Sequence, residues 1–354
     1  MLWLWTGLGV VVSVPVAALL LVIWLHFYLC WRYLGHVVRI FQERPLFIVP
    51  RGQPVPGAED VRFRTADGLT LVGTYFRAEG PRRGVLLFGL EFGSNRWACL
   101  PYCEHLLAHG YDVFAYESRN QGESESLPGY DPLPWVTEYE VRDMEAALAY
   151  LRSRPDADPG GIGLFGISKG GSVGIAVAAR DPYVRCVAVD GVFATHIVMV
   201  PYMRKWFGIY NNNYWLQQVV PLWYYGQVGL IGLRRIERLR GCRFVHIEKC
   251  IHQLAPRPLL MIHGGSDTYV KPEMARALFE RAREPKELWI IDGAKHNQNL
   301  HVAGEEYRRR TLEFFDRHLA KRTASLVHGG AVPASATGPV ADEAAILMAR
   351  LMLT

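Results

Sequence analysis

The sequence predicts an α/β protein, built on a mostly parallel sheet with helices on both faces and preceded by an apolar N-terminal helix. Three observations carry this. Short apolar runs alternate with amphipathic stretches from Val61 to Leu319. A sharp Gly-x-Ser-x-Gly turn, Gly166-Ile167-Ser168-Lys169-Gly170, lies between such a run and a stretch rich in small residues. From Leu2 to Trp31 there is no Asp, Glu, Lys or Arg. Alternating strands and helices favour a parallel sheet, because crossover helices cover both faces and leave the strands wholly apolar.

The elements follow in order. A spanning helix needs about 20 apolar residues. Trp5 to Trp24 covers about 28 Å of helix, with further aromatics at both ends and Pro15 tolerated in the middle. No Lys or Arg precedes the run, and it is longer than the core of a signal peptide. An uncleaved anchor over 1–31 is therefore expected. Arg32, Arg39, Arg44 and Arg51 follow it against Glu43 alone. The excess of positive charge predicts that the C-terminal domain lies in the cytoplasm. Residues 32–60 read as a connector, with Pro45, Pro50, Pro54 and Pro56 breaking any long helix.

Residues 61–320 form the main domain. Val61-Arg62-Phe63-Arg64 and Leu69 to Phe76 read as strands around an Asp67-Gly68 hairpin turn, which makes the sheet mixed. Further strands are expected at Val85–Leu90, Tyr111–Tyr116, Gly161–Phe165, Val184–Val189, Pro258–His263 and Glu287–Ile291. Helices are expected at Trp97–His109, Val136–Arg152, Ser172–Arg180, Met274–Arg283 and Glu305–Leu319. Between about 191 and 257 the rhythm breaks. The segment is rich in aromatics, Trp206, Phe207, Trp215 and Trp223 among them, and reads as a mostly helical cap over the sheet. Residues 321–354 read as a flexible tail, rich in Ala, Gly, Ser and Pro up to Pro339, with a short apolar helix over Ala341–Leu353.

Composition excludes several classes. The formal charge of +5 is spread over scattered Lys and Arg, which gives no footprint for a nucleic acid. The six cysteines form no C-x-x-C pair. Cys99 and Cys103 lie one helical turn apart and read as packing residues. His246, Cys250 and His252 have no second ligand cluster and read as structural. No metal and no cofactor is expected.

The chemistry is carried by three positions. In a strand–turn–helix context Ser168 sits on a strained bend, with its hydroxyl exposed at the top of the sheet and a helix N-terminus behind it. A serine needs a base and an orienting acid. Ile262-His263-Gly264-Gly265-Ser266-Asp267 ends one later strand with an acid, and Ile291-Asp292-Gly293-Ala294-Lys295-His296 ends the next with a histidine. His301 is the alternative base and Asp190 the alternative acid.

This order and placement resemble the α/β-hydrolase superfamily, over about Val61 to Leu319. The resemblance implies that Ser168 attacks a carbonyl, His296 moves the proton, and Asp267 orients the imidazole. It also implies an oxyanion hole from the backbone N–H of Lys169 and of a residue in Leu90-Glu91-Phe92-Gly93-Ser94-Asn95-Arg96, which aligns as Phe92. Many members have His-Gly where this chain has Leu90-Glu91. Glu91 there either repels the developing charge or turns away to pair with a cation such as Arg96 or Arg119. Glu117-Ser118-Arg119-Asn120-Gln121-Gly122-Glu123-Ser124 resembles the family's Asp-x-Arg-Gly-x-Gly-x-Ser loop, which is structural more often than catalytic.

The expectation is a membrane-anchored serine hydrolase acting on the ester, thioester or amide bond of a small, lipophilic acyl substrate. A peptidase or acyltransferase of the same fold is the nearest alternative. The opening hairpin and elbow also look like the catalytic domains of prolyl-oligopeptidase-type peptidases, though the chain has no room for their propeller. A non-catalytic, membrane-tethered binding protein is the alternative of a different class.

Overall fold

The computed structural model describes residues 2–44, 49–210 and 214–320, and the expected tail over 321–354 lies outside them. Helix α1 (Leu2–Ile40) comes first. Strands β1 (Glu59–Arg64), β2 (Thr70–Phe76), β3 (Gly84–Gly89) and β4 (Tyr111–Glu117) follow, with helix α2 (Leu100–Ala108) between β3 and β4. Next come α3 (Glu138–Ser153), β5 (Ile162–Ile167), α4 (Ser168–Ala178) and β6 (Val184–Asp190). Three helices, α5 (Thr195–Tyr210), α6 (Tyr214–Val219) and α7 (Leu222–Arg240), separate β6 from β7 (Leu259–Gly264). Helix α8 (Pro272–Arg281), β8 (Lys286–Ile291) and α9 (Asn299–Phe315) complete the order.

The strands make one sheet in the order β1-β2-β4-β3-β5-β6-β7-β8. β1–β2 and β2–β4 pair antiparallel, and the rest pair parallel. The hairpin forms as Asp67-Gly68 predicts, with Gly68 at φ +91°. Period-2 alternation splits the core between the two faces. Val85 and Leu87 join α3, α4 and α8 on one side, and Leu86 and Phe88 join α2 and α9 on the other. Helix α3 starts with a capping box between Thr137 and Glu140. Cys99 and Cys103 are buried in the core, where burial holds both thiols far above their ordinary pKa.

Two helix starts or ends differ most from the expected ones, while α4 begins four residues early, at Ser168 rather than Ser172. Helix α1 does not stop at Trp31 but runs to Ile40. The prolines begin only at Pro45, and Val37, Val38, Ile40 and the following Phe41 are buried, so packing extends the helix. Helix α9 starts at Asn299, six residues before the expected Glu305, because Gly304 at φ +49° joins two helical pieces across a kink. α1 is long and apolar enough to cross a membrane, as the apolar part of a signal sequence also is. Its side chains from Ser13 to Leu25 are exposed.

The loop after β4 is a structural clamp. Arg119 is fully buried. It donates to Asp143 on α3 through Nε (2.9 Å) and Nη2 (2.7 Å), and to Asp67 in the hairpin turn through Nη1 (2.8 Å). These bonds hold the Asp67 carboxyl down at about 2. Arg119→Met leaves Asp143 buried without its cation. It is expected to lower the unfolding free energy by about 3–5 kcal/mol, read by chemical denaturation; the further change Asp143→Leu should recover part of that loss.

Candidate active site

Strand β5 ends at Ile167 and α4 begins at Ser168 with no spacer. Ser168 takes φ +50°, a region that costs a non-glycine residue about 1–3 kcal/mol. The bend is tight because backbones touch. A Cβ on Gly170 would lie 2.2 Å from the carbonyl carbon of Gly89 at the end of β3, and one on Gly166 would lie 2.6 Å from Gly171 Cα. Only glycine fits either position.

Ser168 Oγ lies 3.0 Å from His296 Nε2. His296 Nδ1 lies 2.6 Å from Asp267 Oδ2. With the carboxylate accepting at Nδ1–H, Nε2 is left as the acceptor for the serine hydroxyl. Asp267 is itself held: its Oδ1 accepts from the backbone N–H of Tyr269 (2.8 Å) and Val270 (2.9 Å). These are the three positions singled out in the sequence, now joined by hydrogen bonds at the C-terminal ends of β5, β7 and β8.

The two alternatives lie elsewhere. Asp190, at the end of β6, accepts from Asn299 Nδ2 (2.5 Å) and Tyr307 Oη (2.9 Å) of α9. Burial pushes its carboxyl up to about 6. It ties the sheet to α9 rather than orienting the imidazole. His301 is exposed on α9. His246 bonds Glu248 (3.2 Å), and Cys250 bonds the Ile247 carbonyl.

Lys169 follows the serine, so its backbone N–H lies in the first turn of α4, where amides have no partner within the helix. Its side chain is buried. Nζ pairs with Glu140 Oε1 at 2.9 Å, donates to the Leu133 carbonyl at 2.6 Å and lies 5.2 Å from the Phe92 ring centre. The lysine charge is thus committed to Glu140 of α3, with its ammonium over the Phe92 ring.

Glu91 does not pair with either arginine offered by the sequence. Arg96 is taken by Glu117 (3.1 Å), and Arg119 by Asp143 and Asp67. Glu91 is buried and accepts a hydrogen bond from Asn297 Nδ2. Burial pushes its carboxyl up to about 7, against the pull of the nearby His296 and Asn297. Sequence reasoning missed Asn297. Its neighbour His296 marked the loop, but nothing in the sequence announces a bond to a residue 206 positions away. The signal that existed was Asn itself, which tolerates the left-handed backbone it adopts at φ +57°.

The sequence profile of the Alpha/beta hydrolase family matches residues 84–310, and the chain belongs to that family. It is 26% identical over 264 residues to the uncharacterized protein YfhR of Escherichia coli K12, covering 73% of this chain and 80% of that one. It is 25% identical to the polyketide transferase grgF of a Penicillium species, covering 74% and 97%. Among solved structures it resembles the esterase Pf2001 of Pyrococcus furiosus, with a TM-score of 0.58 at 23% identity, covering 78% of this chain and all of that one.

The raised Glu91 pKa fixes a sign. An acid whose folded pKa exceeds its unfolded value keeps its proton longer in the folded state, so stability falls as pH rises between the two values. For Glu91 that window runs from about 4.5 to about 7. Glu91→Gln keeps an acceptor for Asn297 without the titration. The variant is expected to be more stable than the parent above pH 7, with the difference vanishing below about pH 4.5, read by denaturation midpoints across pH.

Proposed function

We propose that the chain is a membrane-anchored serine hydrolase that cleaves the ester, thioester or amide bond of a small lipophilic acyl substrate through an acyl-enzyme. The observation that carries this reading is the unbroken hydrogen-bond relay from Ser168 through His296 to Asp267. Ser168 Oγ attacks the carbonyl carbon while its proton passes to His296 Nε2. Asp267 holds the tautomer and stabilises the imidazolium. The backbone N–H groups of Lys169 and Phe92 receive the oxyanion. The imidazolium then protonates the leaving group, and a water repeats the cycle on the acyl-enzyme.

Glu91 weighs less against this chemistry than its position suggests. With its pKa near 7, the carboxyl is largely neutral below that pH and adds little repulsion to a developing anion. Apolar side chains past the end of β6 support a lipophilic substrate: Phe193 packs edge-on to Trp135. The anchor is α1, with the domain on the cytoplasmic side by its flanking arginines.

A fluorophosphonate probe is expected to label the full-length protein in membranes, and Ser168→Ala to abolish the label. Persistence of the label in that variant, or none in the parent, ends the enzyme reading in favour of a binding protein. Asp267→Asn should cut kcat by about 10⁴, as loss of the orienting carboxylate does in a serine triad. On p-nitrophenyl esters, kcat/KM should rise with acyl length; a preference for acetate counts against a lipophilic substrate. A C-terminal reporter active only outside the membrane should stay silent.

A further inference from the structure

The cap and the anchor pack side by side in parallel. His26 Nδ1 meets Tyr224 Oη at 3.1 Å near the N-terminus of α7, Val37 packs against Gly232 in its middle, and Arg240 Nε donates to Gln42 Oε1 at 2.5 Å near its end. This register carries the α6–α7 corner back along α1 to the level of Trp24 and Phe27. At that corner Trp215, Val219, Leu222 and Trp223 are all exposed. Exposed aromatics on α1 lie near the same height: Trp24 and Phe27. Aromatic side chains collected at one level are the pattern of a membrane–water interface.

Between α1 and the cap helices lies a cavity with about 660 Å³ of empty space, counting its open mouth. Leu29, Tyr33 and Val37 of α1 face Phe207 of α5 and Tyr225 and Val228 of α7 across it. A lining this apolar suits an apolar ligand. Two of its lining residues also carry buried donors without a partner among the described residues, Tyr225 Oη and Trp206 Nε1. Tyr225 is 3% exposed. An unpaired buried hydroxyl destabilises the fold, and a carbonyl oxygen brought in by a ligand removes that cost.

We propose that this cavity takes one fatty acyl group from the bilayer, its chain between α1 and the cap and its carbonyl oxygen accepting from Tyr225 and Trp206. Leu29, Val220 and Tyr224 line the end of the cavity nearest the exposed aromatics, and the chain enters from the bilayer at that end. The site is distinct from Ser168: Phe41 lines the cavity, and Trp135 and then Phe193 stand behind it toward α4, with ring centres 5.2 and 5.8 Å apart. The inference rests on the anchoring half of the proposed function and is independent of the serine chemistry.

The test is photolabelling of the full chain in phosphatidylcholine nanodiscs. Diazirine-bearing palmitic acid and diazirine-bearing phosphatidylcholine are the two probes, with adducts mapped by peptide mass spectrometry. Adducts are expected on α5 and α7 as well as α1, and the more efficient probe tells a free from an esterified acyl group. Val228→Trp fills the cavity and should lower the α5 and α7 adducts about tenfold, equivalent to about 1.4 kcal/mol of binding. Tyr225→Phe preserves the volume and guards against a misfolded variant. It should raise the melting temperature of delipidated protein, by removing an unpaired hydroxyl, while lowering the adduct yield. Adducts confined to Ser13–Leu25, or unchanged by both substitutions, overturn the proposal. Ser168→Ala should label as the parent does, so failure of the hydrolase reading leaves this result standing.

Discussion

The structure turns on a contact between bare backbones. The end of β3 at Gly89 and the first turn of α4 at Gly170 approach so closely that a single methyl group on either has no room. Gly166 and Gly171 repeat the condition across the turn itself. Because α4 is drawn down onto the sheet here, the chain must reverse within one residue, and Ser168 is lifted above the strand ends. The same approach brings the loop after β3, with Phe92, beside the first amides of α4. One packing constraint thus sets the height of the hydroxyl and the position of the loop facing it.

Buried charge secures the rim of this arrangement. Arg119–Asp143 and Arg96–Glu117 each join a loop at the top of the sheet to a neighbouring element, and Lys169–Glu140 joins α4 to α3. Such pairs contribute little net stability against apolar replacements, but losing one partner strands the other. They therefore select a geometry more than they strengthen the fold. Glu91 is the exception: among the described residues it has no ion pair and takes an amide instead, and its burial holds its proton.

How much of this was legible in the sequence differs by kind. The strand–helix alternation, the hairpin at Asp67-Gly68 and the placement of Ser168, Asp267 and His296 at strand ends were readable. Each depends on local pattern and on chain order. The choice of Asp267 over Asp190 was readable as a preference, and it became a geometry only with Asn299 and Tyr307 in view. What could not be read were partnerships across the fold. Asn297 with Glu91, Lys169 with Glu140, and the extension of α1 to Ile40 are set by which surfaces meet. The four prolines after Arg44 mark where a helix must end by that point. They do not mark where packing keeps one going.

Position 168 has a meaning for the history of the chain as well as for its chemistry. A side chain held at φ +50° is a standing loss to folding, and glycine would adopt the same backbone without it. Drift judged by stability alone would therefore favour losing the hydroxyl. A serine sitting where the fold prefers glycine is what the proposed nucleophile would require, since stability alone does not ask for it. In that sense the backbone angle is an argument for use, and it holds before any substrate is known.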